Sequence, residues 1–176
     1  MEKQIALLRG INVGGHKKIL MTDLKSLFEA LGFKEVVTYI QSGNVVFLSS
    51  EEGDLSAKIS EGIKAKYGWD VPVLVRNASE LESILSNCPF AKEKKERSYF
   101  TLFNEAPSEK DIEEVSQLSY PGEEFVITPR CLYFFCATAY GRIKFNMNFI
   151  EKKLKLKATS RNYRTFVKLL ELARQE

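Results

Sequence analysis

The first 76 residues alternate between apolar runs typical of strands and segments in which apolar side chains have a helical spacing. β-Branched and other apolar residues predict strands at residues 5–8, 36–40, 44–48 and 71–75. Between them, apolar residues recurring every three or four positions predict two helices. The buried faces carry Leu24, Leu27, Phe28 and Leu31 in the first helix, and Leu55, Ile59, Ile63 and Tyr67 in the second.

Start and stop signals agree with this interpretation. Thr22 and Asp54 are predicted to cap the two helices, and Gly32 and Gly68 to end them. Between the second and third strands, Gln41-Ser42-Gly43 suits a tight turn. The resulting order of strand, helix, strand, strand, helix, strand is the split β-α-β, or ferredoxin-like, motif.

The same order recurs after a connector. Strands are predicted at 98–103, 124–128, 131–137 and 158–160, with helices around Val115 and Ile150 and a closing helix around Phe166. The predicted fold is therefore α+β, with two ferredoxin-like halves in tandem, antiparallel sheets and a C-terminal helix. Residues 1–76 form the first half, 77–97 a helical and charged connector, and 98–176 the second half with a basic segment. Asn77 and Glu80 predict a capped helix in the connector, and residues 92–97 a solvated loop.

This order of strands gathers polar residues at one edge of each sheet. The third strand lies between the first two, so the end of the first strand and the turn after the second share an edge. In the first half the edge collects loop 9–18, the turn 41–44 and residues 69–70, and in the second half Asn104, residues 129–130 and residues 157–161. Glycines at 10, 14 and 15 and the following helix N-terminus make this a candidate anion site, although such glycines also serve ordinary turns.

The distribution of charge along the chain is more informative about function than the net charge. The chain of 176 residues has 26 Lys and Arg and 23 Asp and Glu, a net charge of +3. This is too small to indicate a nucleic-acid or membrane partner. Residues 142–168, however, carry +8 and the rest of the chain −5. The segment is either a solvated face or a site for anions, and the planar guanidinium of Arg161 could clamp a phosphate or carboxylate.

The number and spacing of the cysteines argue against two kinds of site. Three cysteines without a Cys-x-x-Cys motif predict neither a disulfide framework nor a zinc site, and no metal is expected. No cofactor is predicted either. Only four apolar residues follow the N-terminus, which is too short for a signal peptide or membrane span, and the cytoplasm is predicted. The oligomeric state stays open.

No established catalytic motif appears. Gly10 and Gly15 have the spacing that opens a phosphate loop, but His16 stands where that motif requires lysine. The single histidine is either a general base or an exposed loop residue. Two aromatic pairs, Tyr99 with Phe103 and Tyr133 with Phe135, either stack on RNA bases or pack in a core.

Three motifs resemble a bacterial family catalogued as domain of unknown function 1697. They are LLRGINVGG at residues 7–15, TYIQSGNVVF at 38–47 and TSRN at 159–162, so the resemblance spans nearly the whole chain. It implies a cytoplasmic α+β protein of ferredoxin-like halves and no particular activity. The chain departs from the family pattern at His16, Ile143 and Tyr163, and the first departure weakens a catalytic role for His16.

The leading hypothesis is a protein that binds an anionic small ligand, a nucleotide or a phosphorylated metabolite. Arg9 and Arg161 would neutralise charge, while Asn12, Gln41 and Asn44 would orient the ligand. The alternatives are nucleic-acid binding through residues 142–168 and the aromatics, an enzyme of unknown reaction using His16 or a metal, and a structural or interaction role. The predicted ligand-binding residues are Arg9, Asn12, Gly14, Gly15, Gln41, Ser42 and Asn44, joined by Arg161 and Asn162 if the halves meet there.

Overall fold

The computed structural model describes residues 3–137 and 145–175, which form two compact units. The first unit runs to Glu82 and includes the chain from Lys168 onward, and the second comprises Ser83–Val167. The elements of the first unit are β1 Lys3–Leu8, α1 Met21–Ala30, β2 Lys34–Tyr39, β3 Asn44–Leu48, α2 Leu55–Tyr67 and β4 Val73–Asn77, and α3 Ala78–Ser86 crosses into the second. The first-unit strands have the order β2-β3-β1-β4, with every neighbouring pair antiparallel.

The second unit repeats this arrangement. Its strands have the order β6-β7-β5-β8, again with antiparallel neighbours. The predicted α+β fold with two split β-α-β sheets is therefore confirmed. Among the described residues, no helix combines the length and hydropathy that crossing a bilayer requires. The remaining elements are α4 Lys92–Lys95, β5 Tyr99–Phe103, α5 Glu109–Ser116, β6 Glu123–Ile127, β7 Cys131–Cys136, α6 Met147–Leu154, β8 Ala158–Asn162 and α7 Tyr163–Arg174.

Helix termini follow the local sequence signals in most cases. The Asp54 carboxylate accepts a hydrogen bond from the Ala57 N–H at 3.0 Å, as an N-cap does. The side chains of Asn77 and Glu80 each accept from the other residue's backbone N–H, at 2.8 and 3.0 Å, which makes the reciprocal capping box. Gly68 ends α2 in the left-handed conformation, with φ +75°.

Two local predictions are wrong. Thr22 lies inside the first turn of α1, because the helix begins at Met21 after Leu20, whose side chain makes no capping hydrogen bond. The charged stretch 92–97 contains the single helical turn α4 rather than loop throughout. Its mixed charges suit a helix as well as a loop, since Lys92 and Glu96 stand one turn apart with 3.9 Å between amine and carboxylate.

Each sheet buries an apolar face beneath its own helices. In the first unit the ring of Phe47 lies 5.3 Å from that of Phe28 and 4.5 Å from that of Phe33, centroid to centroid. In the second unit Phe134 and Phe103 pack with Ile150 of α6. Because these cores are apolar, the polar groups lie at the ends of the strands and in the loops that follow them.

The other face of the second sheet is also apolar. Phe100 stacks on Phe166 of α7 with centroids 4.9 Å apart, and Tyr133 donates a hydrogen bond from its hydroxyl to the Ile84 carbonyl at 2.8 Å. Phe135 lies beneath the cationic groups of Lys94 and Arg97. Of the four aromatic residues that the sequence offers for base stacking, Phe103, Tyr133 and Phe135 are buried and Tyr99 is half-buried.

Gly43 is constrained more tightly than Gly68. Both have a left-handed φ, +81° and +75°. A Cβ on Gly43 would lie 2.7 Å from the Leu8 Cβ and 2.9 Å from the Ile11 Cδ1, whereas one on Gly68 would meet nothing within 4 Å. Gly43 therefore serves both the turn and the close packing of the hairpin against β1.

Gly68→Ala should lower the free energy of unfolding by about 1 kcal/mol, because alanine is strained at positive φ. Gly43→Ala should cost about 1–3 kcal/mol more, since its Cβ also forces the Leu8 backbone or Ile11 to move. Urea denaturation of both variants measures the difference. Equal losses in the two variants would contradict the packing role of Gly43.

Candidate functional site

The loop between β1 and α1, residues 9–20, forms a small hairpin of its own. His16 donates its backbone N–H to the Val13 carbonyl at 3.0 Å, and Asn12 donates to the Lys17 carbonyl at 3.1 Å. Gly14 and Gly15 lie at the tip with φ +57° and +80°, the pair of positive angles that a type I′ turn requires. A Cβ would meet no atom within 4 Å at Gly15, so backbone conformation rather than space explains that glycine.

Asn12 fixes this loop to the neighbouring hairpin turn. Its side-chain amide donates to the Ile19 carbonyl at 3.0 Å and to the Gln41 carbonyl at 2.9 Å. Its side-chain oxygen accepts from the Ile19 N–H at 2.9 Å. Both amide donors are thus engaged by backbone, which gives Asn12 a positioning role. We call residues 9–20 and 40–43 together the loop–turn surface.

The side chain of Asn44 stabilises the hairpin turn. Its side chain is fully buried and donates to the Tyr39 carbonyl at 3.0 Å and to the Ser42 hydroxyl at 2.9 Å. These bonds hold Ile40 at φ +48°, an uncommon conformation for a β-branched residue. Gln41 and Ser42 remain exposed at the turn. Of the three predicted polar residues here, the structure therefore leaves Gln41 and Ser42 facing solvent and buries Asn44.

The loop carries cations and no acid. Arg9, Lys17 and Lys18 are its charged residues, and Arg9 is partly buried at its base. Lys17 donates to the backbone carbonyl of Asp70 at 2.6 Å. The Asp70 carboxylate pairs with Lys64 at 2.9 Å, and that hydrogen bond and charge lower the pKa of Asp70. The nearby acid is thus ionised at neutral pH and already paired with a lysine of α2.

The loop–turn surface also exposes apolar side chains, a feature that the sequence pattern did not indicate. Val13, Leu20 and Ile40 are 64, 69 and 49% exposed. They adjoin Asn12, Ile19 and Gln41 in sequence, which are the residues that the Asn12 amide joins. Three large exposed apolar groups therefore lie next in sequence to the residues that the Asn12 hydrogen bonds join. Alternation cannot reveal them, because they lie in irregular structure where neither helical nor strand period applies.

Arg161 and Asn162 belong to the second unit, at the far end of β8. Ala158 pairs with Phe103 at the end of β5, whereas Asn162 pairs with Tyr99 at its start. Arg161 thus lies roughly 10 Å along the strand from Ala158, at about 3.3 Å per residue. The prediction that residues 157–161 share one edge with Asn104 is therefore wrong for Arg161.

Both residues have structural partners at that end. Asn162 accepts a hydrogen bond from the Thr165 N–H at 2.9 Å and so caps α7. Arg161 donates from Nη1 to the Ser160 carbonyl at 2.9 Å, and burial lowers the pKa of its guanidinium to about 10, which still leaves it charged at neutral pH.

Two of the three cysteines are poor candidates for a nucleophile. Burial raises the pKa of the Cys88 and Cys131 thiols, which keeps them protonated at neutral pH and disfavours thiolate chemistry. His16 is exposed beside the glycine turn. Within residues 3–137 and 145–175, no cluster of three or more His, Cys, Asp or Glu could hold a metal ion.

Comparison with known proteins identifies the family. Residues 1–133 match the family described as protein of unknown function, DUF1697. The chain belongs to this family. The match covers the whole loop–turn surface and ends before Thr159–Asn162, so the third motif lies outside it. The family resemblance found in the sequence is thereby confirmed.

A solved structure shares the fold over almost the entire length. The conserved bacterial protein SP0830 from Streptococcus pneumoniae is 24% identical, and the alignment covers 99% of each chain with a TM-score of 0.79. This supports the two-unit α+β architecture. No curated protein matches the chain.

Asn12 has a left-handed φ of +55°. Asn12→Gly should lower the free energy of unfolding by about 1–3 kcal/mol, because three hydrogen bonds are lost while glycine still accommodates this φ. Asn12→Ala should cost about 1 kcal/mol more, since alanine is strained there. Urea denaturation measures both. If Asn12→Gly were as stable as the unmodified chain, the amide would not be what holds the loop to the turn.

Proposed function

We propose that this protein binds an anionic small molecule, a nucleotide or a phosphorylated metabolite, at the loop–turn surface. The observation that carries the proposal is the Asn12 amide, which ties a cationic loop without acidic residues to the adjacent turn. A loop that is already ordered loses less entropy when a ligand binds. The long connection between strand and helix is also the kind of segment that carries function.

Backbone donors support an anion at the tip of the loop. The N–H groups of Gly14 and Gly15 have no hydrogen-bond partner among the described residues. Consecutive backbone N–H groups in a turn with positive φ form a concave donor site for anions. Arg9 and Lys18 supply charge from the same loop, and the exposed amide of Gln41 lies across from it on the turn.

The exposed apolar residues favour a ligand with an apolar part over inorganic phosphate. Val13, Leu20 and Ile40 offer contact surface next to the donors. A nucleotide combines both requirements, because its base has an apolar face and its phosphates take the charge. Nucleic-acid binding through the sheet has weaker support, because Phe103, Tyr133 and Phe135 are buried and base stacking needs exposed rings.

Isothermal titration with nucleoside mono-, di- and triphosphates and with sugar phosphates should detect binding to the full chain. Arg9→Ala and Lys18→Ala should each weaken it by about tenfold or more, the effect of losing one charge-assisted hydrogen bond. Lys34→Ala is the matched control, because Lys34 is an exposed cation on β2 outside the loop–turn surface. Circular dichroism checks that each variant is folded.

Two results would contradict this function. One is the lack of any heat signal from the panel at millimolar ligand and low ionic strength. The other is binding that Arg9→Ala, Lys18→Ala and Lys34→Ala reduce equally, which would point to general attraction by net charge rather than to this loop.

A further inference from the structure

The second unit contains a basic cleft at the sheet edge that corresponds to the loop–turn surface. The cleft has a volume of about 590 Å³ and lies where β5 ends and the last turn of α6 leads into β8. Its lysines belong to the basic segment noted in the sequence. The residues that matter are Lys152, Lys155, Lys157, Asn104, Asn148 and Glu105. We propose that this cleft is a second, separate binding site for a phosphorylated small molecule with more than one anionic group.

Backbone contacts build the wall of the cleft. Asn104 donates its N–H to the Lys157 carbonyl at 3.1 Å, and its side-chain oxygen accepts from the Lys157 N–H at 2.8 Å. These two bonds extend the pairing of β5 and β8 beyond Phe103 and Ala158. They fix the backbone of Lys157 at the sheet edge, so its amine extends from an ordered position.

Lys155 occupies a backbone position that favours glycine. It ends α6 with φ +56°, the left-handed conformation. The corresponding helix of the first unit, α2, ends at the same place with Gly68 at φ +75°. Glycine adopts this conformation without strain, and lysine does not. Functional sites retain residues in strained backbone conformations. Here the strained residue places a positive charge beside the cleft.

Ion pairing does not account for the three lysines. Lys152, Lys155 and Lys157 have no salt bridge within the part of the chain that the structure describes. Their neighbour Lys153 does pair, with Glu114 at 3.8 Å. Lys152 also offsets the negative end of the α6 dipole, but Lys155 and Lys157 lie past the helix end, where this explanation weakens.

The acids at the cleft leave an excess of positive charge. Glu151 is buried, and its carboxylate accepts the Ala158 N–H at 2.7 Å, so it serves the backbone of β8. Glu105 is exposed, with its carboxylate 3.5 Å from the Asn104 side-chain nitrogen. The three amines outnumber the two carboxylates of the lining, Glu105 and Glu151, which leaves a net charge of +1. With Asn148 at the rim, the amines suit a ligand that carries several anionic oxygens. The volume lies in the range of small-molecule sites, roughly 300–1,000 Å³.

The test uses inorganic pyrophosphate, inorganic phosphate and the full-length chain. Titration calorimetry at low ionic strength should show pyrophosphate binding more tightly than phosphate, with an affinity that falls as salt is added. Lys155→Gly and Lys157→Ala should each weaken pyrophosphate binding by about tenfold or more. Lys153→Ala is the matched control, because Lys153 lies in the last turn of α6, two residues before Lys155, and outside the cleft lining. Its effect should stay within about twofold.

Lys155→Gly separates this role from a structural one. Because glycine relieves the positive φ, the variant should unfold at a higher temperature than the unmodified chain while binding pyrophosphate less well. A merely structural lysine would not produce opposite changes in stability and affinity. Arg9→Ala, which tests the loop–turn surface, should leave pyrophosphate binding at the cleft unchanged, so failure of either site can be told from failure of the other.

The proposal is overturned if millimolar pyrophosphate gives no binding, or if Lys153→Ala weakens it as much as Lys155→Gly does. Equal affinity for phosphate and pyrophosphate would contradict a ligand with several anionic groups. A lower unfolding temperature for Lys155→Gly would contradict the backbone strain assigned to Lys155.

Discussion

Each unit is organised around the hydrogen bonds of its first strand. β1 pairs with β3 on one side and β4 on the other, and β5 pairs with β7 and β8 in the same way. Because all four pairings are antiparallel, the strand that ends at one edge meets two strands that begin there. The loop after the first strand, the hairpin turn and the end of the second helix must therefore gather at that edge. Both candidate sites follow from this constraint.

The corresponding edges of the two sheets carry different chemistry. In the first unit the connection after β1 is long, and backbone groups hold it in place through Asn12, at φ +55°. In the second unit the distinctive residue is Lys155, which ends α6, whereas the corresponding helix α2 of the first unit ends with a glycine. One edge thus offers backbone donors and apolar side chains, and the other offers amines. The two sheets share one strand order, while the chemistry at the corresponding edges differs.

Strain marks the loop–turn surface as a specialised part of the first unit. Asn12, Lys17 and Ile40 all have positive φ there, in addition to the glycines. Asparagine tolerates this conformation, whereas a β-branched residue such as Ile40 adopts it only when its surroundings require it. The hydrogen bonds from Asn12 to Gln41 and from Asn44 to Tyr39 flank Ile40 on both sides. The side-chain amides therefore offset a local backbone cost and hold the exposed groups in one arrangement.

The sequence alone determined the order of elements, the helix caps at Asp54 and Asn77, and the edge at which polar loops gather, because these depend on local periodicity and on the geometry of the split β-α-β motif. It also pointed to Asn12 and Asn44, but as ligand contacts, since a pattern of residue types cannot show where an amide's hydrogen bonds go. Only the tertiary structure decided that both amides serve the backbone, that Arg161 lies at the far end of β8, and that Lys155 adopts a glycine conformation beside a cleft. Those properties depend on contacts between residues distant in the chain and on backbone angles, and neither is encoded in the spacing of apolar and polar positions.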